Sequence, residues 1–122
     1  LCTAVEYELP VVWIVWNNFA WGAIRDLQYG LFDGREIGTA FYKGASGERY
    51  NPDFAAWARA CGADGYTVTR PQELGPAVEA ALKNRRPCVI DVHVDAEVRP
   101  PSTGTWQLPP IPYKEPIFGK PH

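Results

Sequence analysis

The sequence predicts an α/β domain built on a mainly parallel sheet with helices on both faces, followed by an extended Pro-rich tail. Three observations carry that expectation. An unbroken apolar run at 11–16 stops at two asparagines, helical periodicities alternate with short β-rich runs, and proline crowds the chain beyond residue 99. Strands that alternate with helices build a parallel sheet through right-handed crossovers.

In chain order, LCTAVEYEL reads as the middle of an amphipathic helix with no N-cap before it, and Pro10 ends it. The run at 11–16 is rich in β-branched and aromatic residues without polar alternation, as a parallel strand covered on both faces requires. Asn17 and Asn18 lead at once into FAWGAIRDLQYGLF, where Phe19, Ala23, Leu27 and Leu31 recur at four-residue spacing. A strand feeding a helix through so short a turn is half of a βαβ unit.

Residues 33–51, rich in Gly and polar side chains without a period, read as a long functional loop. PDFAAWARACG then places Phe54, Trp57, Ala58 and Cys61 on one helix face, with Pro52 and Asp53 in the first turn and Gly62 as C-cap. A short strand at 66–69 follows. RPQELGPAVEAALKNRR carries Pro71 and acidic residues early and basic residues late, the polarity a helix dipole favours, so it is a helix despite Gly75 and Pro76. PCVIDVHVD alternates Cys88, Ile90, Val92 and Val94 against Val89, Asp91, His93 and Asp95, a strand with one face less fully buried. Residues 1–98 are thus the folded unit. Residues 99–122 are a strap draped over a surface, since Pro-rich chain cannot join a central strand.

A chain of 122 residues with 46% hydrophobic composition can bury the core of one domain. Its net charge of -2 and scattered Lys and Arg give no basic face for nucleic acid, which leaves a small molecule or a protein as partner. The longest apolar run falls well short of the roughly 20 residues of a membrane helix. Cys2, Cys61 and Cys88 form no C-x-x-C and have no His at zinc-ligand spacing, so free and mostly buried thiols of a reducing cytoplasm are expected. Because the chain opens on Leu1 inside a helical pattern, it reads as the C-terminal part of something longer.

The asparagine pair carries the chemistry. Ligands of an open parallel sheet bind beyond the carboxyl ends of its strands, where helix N-termini point N–H donors outward. A carboxamide oxygen is a hard ligand suited to Mg²⁺ or Ca²⁺, and the free N–H groups of the next turn suit an anionic phosphate. Asn is equally a favoured N-cap that tolerates left-handed turns, so the pair alone leaves a purely structural role open.

The segments LCTAVEYELPVVWIVWNNFAWG, NPDFAAWARACGADGYTVTRPQEL and AVEAALKNRRPCVIDVHVD, in this order and spacing, resemble the C-terminal, diphosphate-binding domain of thiamine-diphosphate enzymes of the acetolactate synthase and pyruvate decarboxylase superfamily. The resemblance covers nearly all of residues 1–98. It implies thiamine diphosphate and Mg²⁺ as cofactors, with Asn18 (side chain) and Ala20 (backbone carbonyl) as metal ligands and cofactor contacts along Asn18, Phe19, Ala20, Trp21 and Gly22. Asn17 would hold the turn, and Gly22 would allow close approach at the helix start. The family's motif begins with Gly-Asp-Gly, which is absent here and by spacing would fall shortly before Leu1. The domain whose Glu activates the cofactor is absent as well, so these residues alone are expected to bind cofactor poorly and to supply no catalytic residue.

For the parent protein, the resemblance implies a lyase or carboligase acting on 2-oxo acids, aldehydes or acyl substrates as a homodimer or homotetramer in the cytoplasm. A thiazolium ylide would attack the carbonyl, and the ring would then serve as electron sink. Leu27 and Gln28 fall where such enzymes approach the substrate channel, and Trp106 in the tail is a candidate pocket wall. A core Leu, a solvated Gln and an aromatic anchor are the plainer readings of the same residues.

Arg25 and Asp26 read as an exposed charged face. His93, the only internal histidine, invites a general-base role, but its strand is expected to run far from the asparagines, which makes it a surface or core residue. With Asp91 and Asp95 it forms no triad. Two other functions stay open: a non-catalytic α/β interaction module that has lost the cofactor site, and a flavodoxin-like phosphate-binding domain.

Overall fold

A computed structural model describes residues 1–98. The elements run α1 (Cys2–Glu6), β1 (Val12–Asn17), α2 (Gly22–Leu31), α3 (Phe54–Ala60), β2 (Asp64–Val68), α4 (Pro71–Asn84) and β3 (Cys88–His93). The strands form one parallel sheet in the order β1-β3-β2. The α/β expectation holds, and the last strand in sequence is the middle one in space. The Pro-rich tail, with Trp106, lies outside the described residues.

Local chemistry sets the helix limits. Asp53 is the N-cap of α3, its carboxylate accepting the Ala56 N–H at 2.7 Å, so Pro52 and Asp53 precede the helix rather than form its first turn. Gly62 follows the Cys61 C-cap at φ +86°, where a Cβ would strain. At the start of α4 the Glu73 carboxylate accepts the N–H groups of Thr69 (3.0 Å) and Arg70 (3.1 Å) and pairs with the Arg70 guanidinium. These N–H bonds, with the Arg70 charge beside them, hold Glu73 down at about 2. Pro71 opens α4, and Pro76 lies inside it.

Two apolar clusters sandwich the sheet. On one face Ala81 of α4 packs with Val68, Cys88, Ile90 and Val92; on the other, Ala58 of α3 packs with Ala63 and Val89, flanked by Leu1 and Val5. The approach of α3 to β2 is close. A Cβ on Gly65 would stand 2.2 Å from the Ala55 carbonyl oxygen, so the helix rides on bare strand backbone.

Several expectations change. β3 is buried on both faces, Asp91 included, because as the middle strand it has β1 and β2 at its edges and α3 and α4 packed on its faces. β1 lies at the sheet edge, with Trp13, Ile14 and Trp16 exposed, while α4 packs mainly over β2 and β3 and only Val12 of β1 joins the cluster beneath it. β2 begins at Asp64 and ends at Val68, earlier than the 66–69 expected. Trp57 is half-exposed, whereas Ala58 turns inward as expected and Ala55 joins it. Ala23, Leu27 and Leu31 point outward, and Arg25 is the buried residue of α2. Of the three free thiols only Cys88 is buried, and burial pushes it up to about 11. Among the described residues no helix is long and apolar enough to cross a membrane.

Candidate cofactor and metal site

β1 ends at Asn17, and the chain turns within Phe19 before α2 begins at Gly22. Phe19 takes φ +57°, a left-handed conformation that a bulky side chain rarely adopts. Two side chains hold it there. Asn17 Oδ1 accepts the Phe19 N–H at 3.1 Å, and Asn18 Oδ1 accepts the Ala20 N–H at 3.3 Å. Asn17 is buried, and its Nδ2 donates to Asp91 Oδ1 at 2.9 Å. The turn-holding role expected of Asn17 is thus visible as two hydrogen bonds.

Beyond the turn, Ala20 bridges antiparallel to Ala40 of the long loop. Trp21 N–H donates to the Thr39 carbonyl (2.7 Å) and Phe41 N–H to the Phe19 carbonyl (3.4 Å), which leaves the Ala20 carbonyl outside both bonds. No side chain caps α2, so the N–H groups of its first turn keep their donor capacity. A Cβ on Gly22 would fall 2.3 Å from Asn18 Nδ2. The carboxamide therefore occupies the space that any other residue at 22 would fill. Asn18, Ala20 and Gly22 come together at the carboxyl end of the sheet. The half-exposed Phe19 ring lies beside them, while Trp21 turns outward, 65% exposed.

This arrangement fits a hard divalent cation joined to a diphosphate. Asn18 Oδ1 and the Ala20 carbonyl are two neutral oxygens, the ligand type Mg²⁺ takes, beside a helix N-terminus that no side chain caps. Among the described residues no group of three or more His, Cys, Asp and Glu side chains could hold a metal.

The loop after α2 is tied to the same helix. Gln28 Nε2 donates to the Ile37 carbonyl (3.1 Å), and its Oε1 accepts the Ile37 N–H (3.0 Å). The Thr39 hydroxyl shares its proton between Gln28 Oε1 (3.2 Å) and Glu36 Oε1 (3.1 Å). Gln28 is thus a loop anchor rather than a solvated side chain, and Leu27 is 54% exposed rather than in the core. The Glu36 carboxylate also raises the Tyr29 phenol above its ordinary value. Arg25 is not on an exposed face. It is buried, donates to the Ala96 carbonyl, and lies 3.8 Å from Glu97, which Arg49 meets at 2.7 Å.

His93 is the largest correction. Parallel pairing sets Asn17 opposite His93, so the histidine stands at the asparagine end of the sheet and not far from it. Its ring meets Phe19 edge to face at 5.0 Å between centroids, and Nε2 lies 3.6 Å from Asp91 Oδ2. A cavity of about 150 Å³ opens there among Asn17, Phe19, Asn51, Asp53, Thr67, Asp91 and His93. Asp91 had a signal in the sequence, as a carboxylate inside an otherwise apolar strand. Its pairing with Asn17 had none, since nothing local places β3 next to β1.

Comparison with known proteins identifies the family and the fold. The profile described as "Thiamine pyrophosphate enzyme, C-terminal TPP binding domain" matches residues 1–92. The chain is 36% identical over 94 residues to the acetolactate synthase large subunit of Parasynechococcus marenigrum, covering 77% of this chain and 14% of that protein. It is 30% identical over 105 residues to the sulfoacetaldehyde acetyltransferase of Castellaniella defragrans, covering 83% of this chain and 16% of that protein. The fold matches a thiamine diphosphate-dependent 4-hydroxybenzoylformate decarboxylase of Rhodococcus jostii RHA1 with a TM-score of 0.65 and 28% identity, over 77% of this chain and 16% of that one. The chain therefore spans about a sixth of the length of these proteins and belongs to the thiamine pyrophosphate enzyme family as its C-terminal TPP binding domain.

Proposed function

We propose that these residues hold the Mg²⁺-diphosphate end of thiamine diphosphate in a lyase or carboligase that acts on 2-oxo acids or related carbonyl substrates. The observation that carries this reading is the Asn18 carboxamide folded over Gly22, 2.3 Å from where a Cβ would stand, beside an Ala20 carbonyl outside the turn's hydrogen bonds. Asn18 Oδ1, which accepts the Ala20 N–H over a long 3.3 Å, and the Ala20 carbonyl would hold the cation, and the first N–H groups of α2 would hold the phosphates. The bound cofactor supplies the electron sink for making or breaking a bond at a carbonyl carbon. The residues described here position it, and catalytic groups come from elsewhere in the protein.

Leu27 sits on the outward apolar face of α2, where it can wall a substrate, while Gln28 acts through the loop it anchors. Acetolactate synthase, acetyltransferase and decarboxylase names among the relatives support the carbonyl substrate class without choosing a reaction. A homodimer or homotetramer is the assembly we propose. Calorimetric titration of the complete protein with thiamine diphosphate, with and without Mg²⁺, tests the reading. Saturable binding that needs the cation supports it; binding indifferent to Mg²⁺, or none, overturns it and favours a non-catalytic module.

A further inference from the structure

Asp91 is the residue whose burial the metal site does not by itself explain. It is 1% exposed in the middle strand, where a carboxylate keeps its charge only at the cost of lost hydration. One oxygen accepts from Asn17 Nδ2 at 2.9 Å, and the other stands 3.6 Å from His93 Nε2. Asp91 Oδ1 accepts the Asn17 Nδ2–H, and the bond sets which end of the Asn17 amide faces β3. The amide nitrogen turns to Asp91, and the oxygen is therefore aimed at the Phe19 N–H, 3.1 Å away. That bond holds Phe19 at φ +57°. His93, on the same strand face, braces the Phe19 ring edge-on at 5.0 Å. Both sides of the turn that presents Asn18 and Ala20 are thus fixed from β3.

We infer that Asp91 is a positioning residue for the cation site, acting through Asn17 without touching the metal. The inference rests on the proposed role of Asn18 and Ala20 and adds the group that orients them. It predicts a definite pattern of substitutions. Alanine at 91 frees the Asn17 amide to flip and releases the turn; asparagine at 91 keeps an oxygen facing Asn17 and preserves it.

The test is Mg²⁺ affinity of the complete protein at saturating thiamine diphosphate, read by calorimetry, with circular dichroism melts as the fold check. Asp91→Ala is expected to weaken Mg²⁺ about 10- to 100-fold, the usual cost of losing a group that orients a metal ligand. Asp91→Asn should restore affinity to within about threefold of wild type, and Asn17→Ala combined with Asp91→Ala should be no worse than either alone, as coupled residues behave. If Asp91→Ala does not fold, Asn17→Ala and Asp91→Asn carry the comparison. Wild-type Mg²⁺ affinity in a folded Asp91→Ala or Asn17→Ala variant, while Asn18→Ala loses it, overturns the inference and leaves the metal reading standing. Unchanged affinity in Asn18→Ala overturns both.

Discussion

Gly22→Ala separates binding from stability. Gly22 is the first residue of α2 and has no left-handed φ, so alanine fits the backbone and gains about 0.5–1 kcal/mol by restricting the unfolded chain. The new Cβ falls 2.3 Å from Asn18 Nδ2. Ordinary contact needs about 3.5 Å, so the carboxamide must move by about 1 Å. Asn18 is the free end of a side chain and can swing away, losing its 3.3 Å bond to the Ala20 N–H, which is worth about 0.5–1.5 kcal/mol. Those terms nearly cancel, and net stability should stay within about 1 kcal/mol of wild type. Affinity should not survive as well, because a metal ligand displaced by about 1 Å loses about 10- to 100-fold. Urea unfolding and Mg²⁺ titration in the presence of thiamine diphosphate, on the same preparation, read the two quantities. Wild-type Mg²⁺ affinity in the folded variant refutes the placement of Asn18; a loss of stability well beyond 1 kcal/mol refutes the ledger.

Other sites give independent checks. Gly65→Ala meets backbone, the Ala55 carbonyl oxygen at 2.2 Å, and should lower the urea midpoint by about 1–3 kcal/mol equivalent; an unchanged midpoint means α3 does not ride on β2 as described. Glu73, held at about 2, lends α4 stability that is full above the ordinary carboxylate range and fades as pH falls toward 2. Glu73→Gln should therefore flatten the acid limb of the stability profile, and superimposable profiles contradict the N-terminal box. Cys88, buried and pushed up to about 11, should resist alkylation until the protein unfolds while exposed Cys2 reacts, as peptide mapping by mass spectrometry will show; equal labelling rates contradict the burial of β3.

Much of this architecture is legible in the residues, and the exceptions have physical causes. The strand stopping at Asn17 and the helix opening at Gly22 follow from an apolar run, a polar break and a helical period, all local signals. Asp53 and Gly62 punctuate α3 as short-range chemistry suggests, with the limit shifted by one cap position. Sheet order is different, because no local pattern says that the third strand inserts between the first two. The burial of Asp91 and the arrival of His93 beside Phe19 depend on that order, as does the exposure of Trp16 at the edge. Arg25 was unreadable for a related reason. Its carbonyl partner, Ala96, lies beyond the end of β3 and 71 positions away in sequence, so a charge that looks solvated is buried by a distant segment.

The central claim is that Asn18 holds the cation joining the diphosphate to the protein. Its most direct measurement is Mg²⁺ affinity of the complete protein and of Asn18→Ala at saturating thiamine diphosphate, with melting curves confirming that both are folded. Loss of a direct oxygen ligand predicts a fall of at least about tenfold to hundredfold in Asn18→Ala. Equal Mg²⁺ affinity in the two folded proteins would contradict the account.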